Sequence, residues 1–245
     1  MLYARTPLRQ RAAAAVADGY RKVEFWWPFD SAVPGDADIA HFVDSVQSSG
    51  ADLVAMNFTL GDDECGGRGI LSHPARVAEF AEHLEVVADL VQRLAIQYCN
   101  APYGLRLSSS TPADQDHTAV SNLRRASDRL RPLGAVPMLE PLSGAAGYPL
   151  TTAAEAVRII ERVEQVTGVR GSVGLLADLY HLAANGEDIA AVLRAHIERI
   201  VHVQIADFPG RHEPGTGDLD IDGHLTLLDE LGYRGEVALE YVPTR

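Results

Sequence analysis

The sequence predicts an α/β fold in which parallel strands curl into a (β/α) barrel, and three observations carry that prediction. Short β-rich runs alternate with longer helical patterns along the whole chain. No Gly-rich dinucleotide fingerprint follows the first run, which argues against a doubly wound sheet. Polar residues end run after run, where a barrel assembles its site. At 245 residues and 47% hydrophobic, with no low-complexity linker, the chain reads as one domain, 1–245.

In chain order, a helix over Pro7–Ala17 stops at Gly19 and leads to a strand at Lys22–Trp27. Helix Ala37–Ser48 closes at Gly50 before strand Asp52–Asn57. Pro74 suits the first turn of a helix running to Leu94, and strand Ala95–Asn100 follows. Helix Asp114–Leu133 ends at Gly134, ahead of strand Ala135–Glu140. Thr152 and Glu155 have capping-box spacing for a helix over Thr152–Val166, with Gly168 after it and strand Val173–Asp178 next. Helix Asp188–Glu198, strand Ile200–Ile205, helix Leu225–Leu231, Gly232 and strand Glu236–Tyr241 complete the series. The recurring glycines are expected C-caps, because helices commonly end in the left-handed conformation. Seven strands and seven helices result.

Composition excludes several classes. A net charge of −13 argues against a nucleic-acid partner, whose phosphates need clustered Lys and Arg. Small anionic substrates stay open, since a metal or a few arginines can reverse the field inside one cleft. No apolar run approaches the ~18 residues of a membrane span. The start lacks the pattern of a signal peptide, so a soluble cytoplasmic protein is expected. Cys65 and Cys99 stand far apart without CxxC spacing, which suits neither a zinc knuckle nor a disulfide scaffold. Of 21 basic residues only Lys22 is a lysine, at a strand start on the stability face of a barrel, which rules against Schiff-base chemistry.

The chemistry lies at four successive strand ends: Glu140, Asp178, Gln204 and Glu240. A carboxylate ending an apolar strand carries a large desolvation cost unless something compensates it. A hard divalent cation would compensate three carboxylates and an amide oxygen, and all-oxygen ligation suits Mg²⁺ or Mn²⁺. The competing reading is separate pairing of each group with loop amides or arginines. His181, three residues after Asp178, is a candidate donor to a substrate oxygen or else a structural histidine, whereas His202 reads as a packed core histidine. The Pro/Gly-rich stretch Phe208–Gly217 brings Arg211, His212 and Glu213 and suits a substrate-enclosing loop. The loop Asp62–Gly69 brings Arg68, either a partner for a substrate carboxylate or a solvated charge. Trp26 and Trp27 either wall the pocket or pack in the core.

Several runs resemble the hydroxypyruvate isomerase family, within the xylose-isomerase-like TIM barrel superfamily. They are Val23–Asp30, Leu139–Leu142, Asp178–His181, His202–Asp207, Pro209–Gly217 and Leu239–Tyr241, within a similarity running from about Leu2 to the end. The most specific of them is the GRHEPGTG loop combined with QIAD. The resemblance implies interconversion of hydroxypyruvate and tartronate semialdehyde. It implies a divalent metal on Glu140, Asp178, Gln204 and Glu240, an acid/base pair of Glu140 and Glu240, and substrate contact by His181. Such an isomerisation removes a proton beside a carbonyl and stabilises an enediolate, work suited to a metal and two flanking carboxylates.

Against the family pattern, the chain is a (β/α)8-type TIM barrel lacking the first strand and the last helix. Two unpaired strand edges are a liability, so either an upstream start or a second copy in a homo-oligomer is expected to close the gap. The expected partner is a small hydroxy-keto acid or ketose. The alternatives are a 2-oxotetronate or other ketose isomerase or epimerase, and a non-catalytic sugar-acid-binding barrel. An endonuclease would need more histidines and a basic face.

Overall fold

The computed structural model describes residues 2–62 and 66–244; Asp63, Glu64 and Cys65, part of the anticipated Asp62–Gly69 loop, lie outside the described residues. Seven strands form one all-parallel sheet in the order of the chain. They are β1 (Lys22–Phe25), β2 (Asp52–Asn57), β3 (Tyr98–Asn100), β4 (Val136–Leu139), β5 (Gly174–Asp178), β6 (Ile200–Ile205) and β7 (Val237–Leu239). The helices are α1 (Leu8–Ala17), α2 (Asp36–Ser49), α3 (Val77–Leu94), α4 (Pro112–Leu130), α5 (Ala153–Thr167), α6 (Leu179–Ala184), α7 (Ile189–His196) and α8 (Ile221–Glu230).

Seven strands were expected and seven form, but eight α-helices are present among the described residues rather than seven. The addition is α6, one and a half turns nucleated by Asp178, whose side chain accepts from the amides of Tyr180 and His181. It is too short to show a helical period in sequence. Ala95, expected in a strand, is instead the left-handed cap of α3 at φ 53°, so β3 begins later. The anticipated capping box of Thr152 and Glu155 is formed. Gly50, Gly134 and Gly168 take the expected left-handed cap conformation.

Alternation along the strands sorts the side chains. Val23, Phe25, Leu53, Leu139, Leu175, Ala177, Val203 and Ile205 face the helices in the main core. A second, smaller cluster joins Val54, Ala55, Met138 and Leu176, with Tyr98 and Val201 packed on it. Each buried aliphatic side chain contributes roughly 1.5–3 kcal/mol on removal from water.

The sheet stops short of closure. β1 and β7 flank a cleft of about 330 Å³ and are bridged by side chains rather than a main-chain ladder. Lys22 pairs with Glu236 at one end of this seam, and Trp26 Nε1 donates to Glu240 Oε1 at 2.7 Å at the other. The exposed apolar residues Tyr20, Trp26, Val237 and Val242 lie at or next to these two edges.

Candidate active site

The C-terminal strand ends bring together all four residues singled out there. Glu140, Asp178, Gln204 and Glu240 are 6%, 1%, 5% and 7% exposed, so their charges are largely withdrawn from water. Asp178 and Gln204 are direct neighbours in the β5–β6 register. The amide of Glu240 donates to the carbonyl of Ile205, which seats that side chain beside them.

Each group is held by named partners. Asp178 uses Oδ1 to cap α6, leaving Oδ2 to accept from Arg211 Nη2 at 3.0 Å. The same Arg211 nitrogen reaches Glu240 Oε2 at 2.9 Å. Asn100 Nδ2 donates to Glu140 Oε2 at 2.7 Å. Gln204 Nε2 donates to Glu24 Oε1 at 2.9 Å, so its own Oε1 is turned away from Glu24 and is buried without a partner among the described residues.

The electrostatics follow from burial and crowding. Burial, then the charges of Glu240 and Asp178, push the Glu140 carboxyl well above its ordinary range. Burial, then Asp178 and Glu24, push Glu240 up to about 8. Burial also raises Asp178, to about 6, against the opposing pull of Arg211 and the α6 amides. Burial works against charge on Arg211, but Glu240, Asp178 and Glu140 outweigh it and hold the guanidinium ionised.

His181 joins this cluster. The amide of Ser143 donates to Nδ1 at 3.0 Å, which assigns the hydrogen to Nε2. Nε2 lies 3.5 Å from Asp178 Oδ2 and 3.9 Å from Glu140 Oε1. Burial, then Arg211 and Arg68, push the imidazole down to about 3, so it is a neutral donor.

The residues fit a hard divalent cation. Glu140, Asp178 and His181 each bring one potential ligand atom within 4.8 Å of the others. The buried carboxylates and Gln204 Oε1, which has no partner among the described residues, are the oxygen donors at this mouth.

The loops divide. Asp207 organises the stretch after β6, accepting from the amides of Phe208, Gly215 and Leu219. A Cβ at Gly217 would stand 2.5 Å from the Phe208 carbonyl oxygen, so that position takes glycine. This frame aims Arg211, at φ 60°, back into the mouth. Glu213 points elsewhere: its Oε1 accepts from the Thr244 amide at 3.1 Å, and among the described residues it bonds to none of the four strand-end groups. Arg68 is half-buried, donates to the Gly67 carbonyl oxygen, and has no ion pair among the described residues. Its charge is felt at His181 and Tyr148.

Glu24, Asn100 and Tyr148 escaped the reading of strand ends. Tyr148 donates to the Glu140 carbonyl oxygen and accepts from the Tyr103 amide. A charged residue inside an otherwise apolar strand was the available signal for Glu24. The two tryptophans separate by alternation. Trp27 packs edge-on against Phe29 and His83, while Trp26 is 47% exposed and bonds Glu240. His202, fully buried and stacked on Tyr98, bonds Glu24 and is the packed histidine expected.

Fold and site together define an α/β-barrel protein with an acidic, metal-competent mouth at the C-terminal ends of its strands. The chain belongs to the xylose isomerase-like TIM barrel family, whose model matches residues 12–245, and within it to the hydroxypyruvate isomerase group. A Streptomyces coelicolor relative named "Putative hydroxypyruvate isomerase" is 40% identical, over 99% of this chain and 88% of its own length. A 2-oxo-tetronate isomerase of Haemophilus influenzae is 27% identical, over 99% of this chain and 91% of its own. The crystal structure of a Brucella melitensis protein titled AP endonuclease, family 2, superposes with a TM-score of 0.87 at 29% identity, over 99% of this chain and 90% of that one.

Proposed function

We propose that this chain is an isomerase that interconverts hydroxypyruvate and tartronate semialdehyde by metal-assisted proton transfer through an enediolate, residues 1–245 acting as one domain. The observation that carries the reading is the gathering of three buried carboxylates at one barrel mouth beside Gln204, whose Oε1 has no partner among the described residues. The name of the 40% identical relative supports the same substrate.

Glu140, Asp178, Gln204 and Glu240 would hold a divalent cation, Mg²⁺ or Mn²⁺. When bound, it supplies Lewis acidity that polarises the substrate carbonyl and offsets charge on the enediolate. Glu140 and Glu240 form the acid/base pair. One takes a proton from the hydroxymethyl carbon, C3; that bonding pair becomes the C2–C3 double bond, and the carbonyl pair moves to O2. A proton then returns to C2 while the hydroxyl proton passes from O3 to O2, leaving an aldehyde at C3. In the metal-free chain, burial and crowding raise both carboxyls, so each takes up a proton more readily than an exposed glutamate does.

His181 donates from Nε2 to a substrate oxygen rather than ligating the metal, since the Ser143 amide occupies Nδ1. Arg68, which donates to the Gly67 carbonyl oxygen and has no ion pair among the described residues, receives the substrate carboxylate. Arg211 is the second cation at the mouth. Glu213 serves by tying its loop to Thr244. The net charge of −13 argues against a nucleic-acid partner, and the arginines at the mouth suit a small anion.

A second reading, isomerisation of 2-oxo-tetronate, is favoured by the name of the Haemophilus influenzae relative. Both substrates are keto acids and would use Arg68 alike. The test is to incubate metal-stripped protein with hydroxypyruvate, add Mg²⁺ or Mn²⁺, and follow tartronate semialdehyde by proton NMR. Metal-dependent product that vanishes in Glu240→Gln is the expected result. No product from folded, metal-loaded protein would refute the substrate, and turnover of 2-oxo-tetronate in the same assay would establish the second reading.

A further inference from the structure

Glu24 lies in the middle of β1 yet faces the barrel interior, on the same side as Trp26. Its carboxylate reaches past the open seam to β6 and accepts two hydrogen bonds there. Oε1 takes one from Gln204 Nε2 at 2.9 Å, and Oε2 pairs with His202 Nε2 at 2.8 Å. His202 is fully buried and its ring is stacked 5.6 Å from Tyr98, so the pair is rigidly placed.

The consequence concerns the direction of one amide. A carboxylate only accepts, so the group Gln204 turns toward Glu24 must be its NH₂. The carbonyl oxygen is then turned away from Glu24, and it is buried without a partner among the described residues. An amide has no intrinsic preference between its two orientations, and only one of them presents an oxygen to a cation. Resting on the metal reading given above, we propose that Glu24 is a positioning residue for the metal site: it locks the Gln204 amide so that Oε1, not Nε2, faces the ion.

The experiment inverts the lock and then repairs it. In Glu24→Gln the new amide at position 24 accepts from His202 with its oxygen and turns its NH₂ to residue 204. Gln204 then presents its oxygen to that NH₂ and its own NH₂ to the metal. Adding Gln204→Glu restores the arrangement with the charges exchanged, since the carboxylate at 204 accepts from position 24 with one oxygen and offers the other to the ion. Free Mn²⁺ is followed by electron paramagnetic resonance during titration of metal-stripped protein. Folding is checked by circular dichroism and thermal melting.

Glu24→Gln is expected to weaken Mn²⁺ binding by about tenfold or more, the usual size of losses from the shell behind a metal ligand. The double variant is expected to return to within a few-fold of the parent. A merely structural role would not be repaired by the exchange. Parent-like binding in Glu24→Gln, or a folded double variant that stays weak, overturns the proposal. If the single variant does not fold, the double variant carries the test alone, and unfolding of both would make Glu24 structural and also overturn it. A parent that binds no Mn²⁺ would defeat the metal reading itself, an outcome separate from equal binding by parent and variant.

Discussion

Arg211 holds Glu240 twice, through Nη2 to Oε2 at 2.9 Å and through Nε to the main-chain oxygen at 3.3 Å. The same Nη2 also reaches Asp178. The guanidinium therefore lies against two of the four groups proposed to bind a cation, and the two positive charges compete for the same oxygens.

Arg211→Gln should consequently bind Mn²⁺ more tightly, on the order of tenfold, equivalent to about 1.4 kcal/mol. Turnover should fall because the mouth loses the second of the two cations proposed to meet the substrate. Calorimetric titration checks the first point, and an unchanged or weaker affinity in a folded variant would refute it.

Arg68→Met should raise KM for hydroxypyruvate while changing kcat less. A hydrogen bond to a charged group contributes about 1.5–3 kcal/mol, so the KM increase should be roughly ten- to a hundredfold. A neutral ketose, if turned over at all, should show no such increase. Equal effects on both substrates would remove Arg68 from carboxylate recognition.

The crowded carboxyls make stability depend on pH. Glu240 has an ordinary value of 4.5 and a folded value of about 8, so between them the folded chain holds more protons than the unfolded one. Stability from this group is therefore complete below about 4.5 and declines as pH rises toward 8. His83 works in the opposite sense, since burial pushes it from 6.5 down to about 4, but its contribution is complete above 6.5. The metal-stripped protein should thus melt at a lower temperature at about pH 8 than at about pH 6.5, and Mg²⁺ should restore more at the higher pH. Thermal melts of the parent and of Glu240→Gln provide the check. A melting temperature that rises across this window in the parent alone would contradict the argument.

Gly217→Ala should damage the loop that carries Arg211. The added methyl would meet the Phe208 carbonyl oxygen at 2.5 Å and Asp207 Oδ1 at 2.6 Å. A loss of about 1–3 kcal/mol is expected, seen as a lower melting temperature, with a larger proportional fall in turnover. A variant with parent-like melting and turnover would show that the loop can relax around the methyl.

The sheet and the four strand-end groups were legible because each rests on a local pattern: a short apolar run, then one polar residue, then a turn. Strand count follows from that alternation, and strand order from it together with the missing dinucleotide fingerprint and the polar strand ends. Relationships between distant residues were less accessible. Glu24 meets Gln204 only because the curl of the sheet brings β1 back toward β6, beyond β7, which no spacing in the chain encodes. Asn100 ends a strand as visibly as Glu140 does, but a neutral amide raises no question of compensation until its partner is seen. Glu213 looked equivalent to Arg211 in sequence, yet the bends imposed by Asp207 send the two side chains in different directions.

The seam between β1 and β7 decides where the barrel gives way first. Strands β3, β4 and β5 have a hydrogen-bonded neighbour on each side, whereas β1 and β7 have one. Amide deuteration should accordingly start at the two outer strands and reach the middle of the sheet last. Glu240 ends one of those loosely held strands, so an ion gripping it together with Glu140 and Asp178 would work as a clasp. Its arrival should slow exchange along β7 more than along β3, making the barrel's weakest border the part most strengthened by its own cargo.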